Sequence, residues 1–253
     1  MRNLVLVFLI CLSFGLYAQT NEPAPQPAYW LVQKVNVKAN ATQEYELNIK
    51  QLIMSLQVGS KGCSPFNWFT FVSPDQAVYT YVTPVMDFAH LQSIYQAMSN
   101  QSSTLSQLHQ SISGEVNSYD VSFLRALDNL SYQPPQGGCV QPYNIVECLD
   151  VIPGQEANFE KMLSTWVKGA TGNSGWSVFV TLIGPNQPQY SIVYNGASLN
   201  SFQKQFAQQS QNFAAGQGFG ILRGYSWSSN IYVPELSNVN SPAKRRSVTQ
   251  PAN

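Results

Sequence analysis

Charged residues are scarce in this chain of 253 amino acids. Only 10% of the residues are Asp, Glu, Lys or Arg, against about 25% in ordinary globular domains. The thirteen basic and thirteen acidic side chains cancel to a formal net charge of zero, so the chain lacks the basic surface that nucleic acids attract. We therefore predict no nucleic-acid partner. The 44% hydrophobic residues still suffice for a folded core, and the length suggests one large domain or two small ones.

Residues that commonly carry catalysis or bind metals are also few. The two histidines, His90 and His109, are too far apart in sequence to act as a pair of metal ligands on one helix. No nucleophile motif such as G-x-S-x-G is present. The glycine-rich stretch 216–224 follows a predicted helix and precedes a predicted strand, which is the reverse of a phosphate-binding loop. The sequence thus predicts no metal site and no cofactor.

A long apolar run occurs at the N-terminus. Arg2 precedes an apolar segment from Leu4 to about Tyr17, and a small residue, Ala18, follows. The run is shorter than the roughly 20 residues of a membrane-spanning helix and is typical of a secretory signal peptide. We expect residues 1–18 to be that signal peptide, the protein to be exported to the periplasm or the cell exterior, and no segment to span a membrane.

Export would leave three cysteines in the mature chain. Cys63 and Cys139 lie in loop-like segments with glycine and proline, whereas Cys148 lies in an alternating apolar segment and is expected to be buried. An oxidising compartment permits disulfides, but an odd count leaves one thiol unpaired. Our hypothesis is a Cys63–Cys139 bridge, and the alternative is three free thiols.

The most informative feature is a similarity between residues 29–131 and residues 142–237. Four segments recur in the same order, which indicates an internal duplication. The similarity places these residues at matching positions: Val37 and Val151, Tyr45 and Phe159, Glu46 and Glu160, Trp68 and Phe179, Tyr79 and Tyr190, Tyr119 and Tyr225, Leu130 and Leu236. Residues 19–28 are interpreted as a polar lead-in, 132–141 as a linker, and 238–253 as a disordered basic tail.

The hydrophobic periods predict the same elements in each half. A strand with period two is followed by a helix, a hairpin, a second helix and a final strand, which is the ferredoxin-like βαββαβ unit. Both faces of the hairpin strands are apolar, so we expect each sheet to be covered on both sides. The predicted fold class is α+β, with two tandem ferredoxin-like repeats packed sheet to sheet.

This arrangement resembles the dimeric α/β-barrel superfamily, which includes antibiotic-biosynthesis-monooxygenase-like proteins, haem-degrading monooxygenases and chlorite-dismutase-like proteins. The resemblance covers about residues 29–237 and rests on the element order and on the pattern Val/Leu-x-Val-x(2)-Gly/Asn-x(4)-Phe/Tyr-Glu. It implies a pseudo-dimer within one chain, a monomeric protein, and a ligand cavity between a sheet and its own helices. Members differ in chemistry, so the fold alone does not assign a function.

The resemblance also tests two haem-dependent activities. The haem-degrading branch uses an Asn on the first strand and a Trp and a His on the second helix. Neither half keeps these residue types, since the positions fall on or near Gln33 and Glu147, Leu91 and Phe202, and Gln101 and Asn212. A chlorite-dismutase-like activity would expect a haem-ligating His in the second half, which contains no His. Both activities are therefore disfavoured.

Two polar residues lie on the strand faces that should meet the helices. Gln33 and Glu147 occupy matching positions on the first strand of each half. A buried glutamate needs a partner and has a raised pKa, so Glu147 is the candidate general base or ligand anchor; the alternative is a structural hydrogen-bond role. The candidate ligand-binding residues, which core packing or helix capping would equally explain, are Gln33, Trp68, Tyr79, Tyr81, His90, Trp176 and Tyr190.

Three functions remain open at this point. The leading hypothesis is an exported protein that binds a small apolar or aromatic molecule. The alternative is a cofactor-independent, monooxygenase-like enzyme acting on an aromatic or phenolic substrate in the same pocket. The third is a structural or interaction module.

Overall fold

The computed structural model describes residues 27–59, 67–73, 76–99, 103–132, 142–170, 175–184, 187–196 and 218–238. The first half of the chain contributes β1 (Tyr29–Val37), α1 (Thr42–Gly59), β2 (Phe69–Ser73), β3 (Val78–Val85), α2 (Phe88–Ser99), α3 (Ser103–Glu115) and β4 (Val116–Ala126). The second half contributes β5 (Tyr143–Val151), α4 (Glu156–Gly169), β6 (Trp176–Ile183), β7 (Gln189–Gly196) and β8 (Leu222–Tyr232).

The eight strands form one closed barrel in the order β1-β3-β2-β8-β5-β7-β6-β4. Every described strand pair is antiparallel. The two halves join edge to edge, through β2 with β8 and through β4 with β6. These pairings satisfy backbone N–H and C=O groups that would otherwise be exposed along sheet edges.

The predicted packing of two ferredoxin-like repeats sheet to sheet is therefore wrong. The structure is a single closed antiparallel barrel, flanked in its described part by four helices. The apolar character of both strand faces led to the prediction of two stacked sheets, whereas closure of the barrel encloses the inner face. The first half also carries two helices, α2 and α3, between β3 and β4, where the sequence predicted one.

The helices lie on the outside of the barrel because each has one apolar face. In α1, Tyr45, Ile49 and Ile53 recur every four residues and are buried, as on the inward face of an amphipathic helix. In α4 the same spacing places Phe159 and Leu163 in the interior. Two hydrophobic clusters result between the outer surface of the barrel and its helices, each centred on one half and including residues from the chain end of the other.

The chain end that follows the last strand of each half runs along the other half. After β4, the Leu127 N–H donates to the Val178 carbonyl at 2.8 Å. After β8, the Val233 N–H donates to the Thr70 carbonyl at 2.9 Å. The halves therefore exchange their final segments, in addition to sharing the barrel.

Several predictions fall outside the described residues. These are the signal peptide at residues 1–18, the tail beyond residue 238, and Cys63 and Cys139 of the proposed bridge. Cys148, which is described, is a free thiol. Among the described helices, none is long and apolar enough to cross a membrane.

Candidate functional site

A cavity of about 580 Å³ lies between the outer face of the barrel and the helices of the first half. We call it the helix-side cavity. Strands β1, β3 and β4 supply one wall and helices α1, α2 and α3 supply the other. Much of the lining is aliphatic, from Leu31, Val35, Ile49, Leu52, Leu56, Ile94, Ile112 and Val116. Such a surface favours an apolar ligand and leaves orientation to a few polar groups.

The central polar feature is a pair of tyrosine hydroxyls. Tyr45 from α1 and Tyr81 from β3 are hydrogen-bonded, with 2.7 Å between the two Oη atoms, and both side chains are buried. Burial raises the pKa of Tyr45 and of Tyr81, so both phenols stay protonated at neutral pH. Because one hydroxyl hydrogen serves the bond between them, the second is available to a ligand oxygen.

Other polar groups surround this pair. Gln33 on β1 lies directly beside Tyr81 in the β1–β3 register, and both line the cavity. Helix α3 contributes His109 and Ser113, and β4 contributes Tyr119. His109 is the one imidazole on the described lining, and imidazoles commonly exchange protons near neutral pH. The cavity therefore combines hydrogen-bond donors with one group suited to proton transfer.

Glu147 lies in the second half, on the outward face of β5. Its carboxylate is buried and accepts hydrogen bonds from the Tyr194 hydroxyl and the Tyr225 hydroxyl, each at 2.9 Å. Burial raises the pKa of Glu147, and the hydrogen bonds from Tyr225 and Tyr194 oppose that rise only in part. Glu147 does not line the helix-side cavity of the first half.

The strand registers show that Gln33 and Glu147 are equivalent. Val35 pairs with Tyr79 and Tyr119, and its counterpart two residues after Glu147, Leu149, pairs with Tyr190 and Tyr225. In this register the counterpart of Tyr81 is Ile192, and that of Tyr45 is Phe159. The hydroxyl pair of Tyr45 and Tyr81 therefore has no counterpart at the matching positions of the second half, and the Glu147 carboxylate is matched by the neutral Gln33 in the first half.

The two predicted tyrosines Tyr79 and Tyr190 make matching contacts with the helices. Tyr79 donates to Glu46 and Tyr190 to Glu160, each at 2.8 Å. Their rings contact equivalent aromatic rings on α1 and α4, at centroid distances of 4.9 and 4.7 Å. Neither lines a described cavity, so their contact with a ligand stays a prediction.

The remaining predicted residues are divided among several places. Trp68 lines the helix-side cavity, whereas Trp176 is buried in the core of the second half. His90 stands at the start of α2, where its Nδ1 accepts from the Met86 N–H at 3.1 Å and its own N–H donates to Asp87 at 2.7 Å. His90 thus has the capping contacts that were the alternative to ligand binding. The structure brings together Gln33, Trp68 and Tyr81 in one cavity.

The polar residues of this cavity that sequence reasoning missed include Tyr45, His109 and Tyr119. For Tyr45 a signal existed, because its counterpart Phe159 has the same ring without the hydroxyl. His109 was missed because α3 was not recognised as a helix of its own. Its spacing from Ile112, three residues further on, is that of neighbours on one helix face, and both line the cavity.

The described residues offer little for a metal or a haem group. They contain no cluster of three or more His, Cys, Asp or Glu side chains arranged to hold a metal ion. In the second half, where the resemblance to chlorite dismutases calls for a histidine, the central polar group is Glu147 with its two tyrosine partners. The Tyr194 and Tyr225 hydroxyls are bound to the Glu147 carboxylate, and the second half contains no histidine, so these residues do not fit histidine ligation of a haem.

Comparison with solved structures identifies proteins of the same fold. A candidate monooxygenase from Fusobacterium nucleatum superposes with a TM-score of 0.56 at 10% identity, covering 83% of this chain and 94% of that chain. An anthrone oxidase-like protein gives 0.55 at 10% identity, covering 81% and 91%. A chlorite dismutase variant from Candidatus Nitrospira defluvii gives 0.51 at 9% identity, covering 83% and 93%. Neither a known family profile nor a curated protein sequence matches the chain.

Proposed function

We propose that this protein is a monooxygenase-like enzyme of the cofactor-independent kind, and that it takes a planar phenolic substrate into the helix-side cavity. The observation that carries the proposal is the pair Tyr45–Tyr81, which presents a hydroxyl donor on the wall of a largely apolar cavity. The shared fold with a candidate monooxygenase and an anthrone oxidase-like protein supports it. On the same grounds we infer membership in the dimeric α/β-barrel superfamily that the sequence resembles.

The chemistry begins with removal of a proton from an activated CH2 group beside a phenolic ring. His109 is the proposed base, and the free hydrogen of the Tyr45–Tyr81 pair stabilises the negative charge that develops on the substrate oxygen. The carbanion then gives electrons to O2, forming a substrate peroxide. Loss of water from that peroxide leaves a carbonyl, so that one oxygen atom enters the product and the other leaves as water.

Binding without turnover is the second candidate function. One observation favours it: within the described lining, the helix-side cavity contains no carboxylate. The predicted general base Glu147 lies in the other half and does not line this cavity. Its role as a base or ligand anchor stays a prediction for the second half. In this second function the protein would hold an apolar aromatic molecule and release it unchanged.

The test measures oxygen consumption by the purified protein with anthrone as the substrate. We expect O2 uptake above the autoxidation blank, one 18O atom per product molecule, in the newly formed carbonyl, when 18O2 is supplied, and a large loss of rate in His109→Ala. The matched control is His90→Ala, which removes an imidazole from the start of α2 and should keep the rate. Saturable binding of anthrone with no O2 uptake would support the second function, and no binding at all would favour an interaction module.

Two further properties are proposed with this function. Export rests on the N-terminal pattern of residues 1–18, and cell fractionation with N-terminal sequencing of the mature protein tests it. A monomeric state rests on the fact that one chain supplies all eight strands of a closed barrel. Sedimentation equilibrium at several protein concentrations tests that state.

A further inference from the structure

A second cavity, of about 400 Å³, lies inside the barrel. We call it the lumen cavity. It is lined by inward-facing residues from all eight strands, which alternate along each strand with the residues that face the helices. The helix-side cavity and the lumen cavity share no lining residue. A ligand in one would therefore leave the other free.

Three asparagines stand side by side on one wall of the lumen. Asn144 on β5 is directly opposite Asn195 on β7 and Asn230 on β8 in the strand registers. Asn230 Nδ2 donates to Asn144 Oδ1 at 3.1 Å, and both side chains are buried. This bond leaves the Asn144 N–H groups and the Asn230 carbonyl oxygen for other partners. The row thus presents both donors and acceptors towards the cavity.

The opposite wall is apolar at the same level. Strands β1 and β5 are four places apart in a closed ring of eight antiparallel strands, so they face each other and run in the same direction. The residues equivalent to Asn144 and Asn230 are Trp30 and Leu124, which line the cavity. The Phe179 ring meets the Trp30 ring edge to face at 6.1 Å.

Charge is almost absent from this cavity. Lys34 is the one charged side chain on the described lining, and it is exposed. An ionised ligand would therefore lose its hydration without gaining a buried counter-charge. The lining favours an uncharged ligand with a flat apolar surface on one side and hydrogen-bonding groups on its edge.

We propose that the lumen cavity binds an uncharged planar heterocycle whose edge carries adjacent amide-type donors and acceptors, as a purine base does. An asparagine amide pairs in a bidentate manner with such an edge, and the row of three asparagines supplies more than one pairing position. The indole of Trp30 and the ring of Phe179 supply the flat contact. The proposed monooxygenase reaction does not depend on this site.

Cys148 gives a direct readout of occupancy. Its thiol lines the lumen cavity beside Ser191, with Sγ and Oγ 3.9 Å apart. The experiment measures the rate of Cys148 alkylation by iodoacetamide in the native full-length protein, followed by mass spectrometry of the Cys148 peptide. The probe is hypoxanthine, and indole is the flat control because it lacks the amide edge.

We expect hypoxanthine to slow alkylation of Cys148 about tenfold more than indole does, which corresponds to one bidentate amide contact. Asn230→Leu, which introduces the residue found at the equivalent position 124, should abolish this difference. Asn195→Ala serves as a second variant if Asn230→Leu does not fold, because Asn195 is only half-buried. His109→Ala should keep full protection.

Equal protection by hypoxanthine and indole would overturn the proposal, as would no protection by either. Protection that survives in both asparagine variants would also overturn it. Anthrone turnover that fails while hypoxanthine still protects Cys148 would contradict the proposed function and leave this inference standing. Anthrone turnover without protection of Cys148 by hypoxanthine would contradict this inference and leave the proposed function standing.

Discussion

Trp68 and Trp176 make the same hydrogen bond from opposite halves of the chain. Trp68 Nε1 donates to the Leu236 carbonyl at 3.0 Å, and Trp176 Nε1 donates to the Leu130 carbonyl at 3.1 Å. Leu236 belongs to the second half and Leu130 to the first. Each indole therefore connects its own half to the final segment of the other half. The two bonds together stabilise both junctions between the halves of the barrel.

Two serine side chains make a second pair of matched hydrogen bonds between the halves. Ser237 Oγ accepts from the Thr70 N–H at 2.9 Å, and Ser131 Oγ accepts from the Val178 N–H at 2.9 Å. Ser131 and Ser237 follow Leu130 and Leu236 directly in the chain. The exchanged ends are thus held by matched side-chain contacts as well as by backbone pairing.

Trp176→Phe tests the strength of this connection. The substitution keeps an aromatic ring but removes the indole N–H, so the buried Leu130 carbonyl loses its donor. Leaving a buried polar group unpaired costs about 1–3 kcal/mol, and the free energy of unfolding measured in urea should fall by that amount. Trp68→Phe is the comparison variant and should lose less, because the Leu236 carbonyl still accepts from the Thr70 hydroxyl at 2.6 Å. A change below about 0.5 kcal/mol in both, the range of neutral surface substitutions, would contradict the role.

Local sequence patterns were sufficient to match the halves at many positions. The tyrosines Tyr79 and Tyr190 were equated from the sequence, as were the glutamates Glu46 and Glu160, and in the structure each tyrosine donates to the corresponding glutamate. Such contacts join a strand to the helix of its own half. Their side chains recur with the period of the element that carries them, which is information that a sequence shows directly.

The register of the hairpins was predicted less well. The sequence comparison placed Trp68 opposite Phe179, whereas the hydrogen bonds of the structure make Trp176 its counterpart. The error has a physical cause: Val72 pairs with Tyr79 and Val180 with Tyr190, so six residues separate the paired positions in the first hairpin and nine in the second. A comparison anchored on the turn prolines therefore shifts the preceding strands.

Closure of the barrel could not be predicted from local patterns. It depends on β2 pairing with β8 and on β4 pairing with β6, and these strands are far apart in sequence. An apolar inner face fits a stacked sheet as well as a closed barrel. The row of three asparagines in the lumen also could not be predicted from the sequence, because only the registers of β5, β7 and β8 show that they lie side by side.

Glu147 should make the stability depend on pH. The carboxyl has an ordinary pKa of 4.5, and burial raises it in the folded protein. The folded state therefore binds the proton more tightly than the unfolded state, so this stabilisation is complete below pH 4.5 and is lost as the pH rises through the folded-state pKa. In Glu147→Gln the side chain stays neutral at every pH. We expect the Tm of the variant relative to the wild type to rise between pH 4 and pH 8.

The control for this prediction is Glu235→Gln, which removes a carboxylate from the exposed turn after β8. Its Tm difference from the wild type should stay flat over the same pH range. A flat profile for Glu147→Gln as well would show that the buried carboxyl is equally stable in both protonation states.

Backbone strain gives a third prediction. Ala77, in the turn before β3, has a φ of 49°, and Gly154, in the turn before α4, has a φ of 88°. Left-handed backbone costs a non-glycine residue about 1–2 kcal/mol. Ala77→Gly should therefore raise the free energy of unfolding by up to about 1 kcal/mol, because the gain is offset in part by the larger entropy of the unfolded chain.

Gly154→Ala should lower the free energy of unfolding by about 1 kcal/mol. Open space surrounds Gly154, with no atom within 4 Å of an added Cβ, so the loss would report on the backbone conformation alone. Chemical denaturation of the two variants under one set of conditions measures both effects. A loss of stability in Ala77→Gly would refute the assignment of strain to that turn.

The hydroxyl of Tyr81 should matter for turnover far more than the hydroxyl of Tyr79. Tyr81→Phe breaks the pair inside the helix-side cavity and leaves the Tyr45 hydroxyl without the partner that orients it. Loss of a preorganised donor to a developing oxyanion commonly costs about 100-fold in kcat. Tyr79→Phe, two residues earlier on the same strand, removes a bond to Glu46 that lies outside the lining of this cavity. Stability should fall in Tyr79→Phe while kcat is kept. Because the donor acts on charge that develops during the reaction, Tyr81→Phe should lower kcat with little change in KM; an equal effect of the two variants on kcat would reject the hydroxyl pair as the catalytic donor.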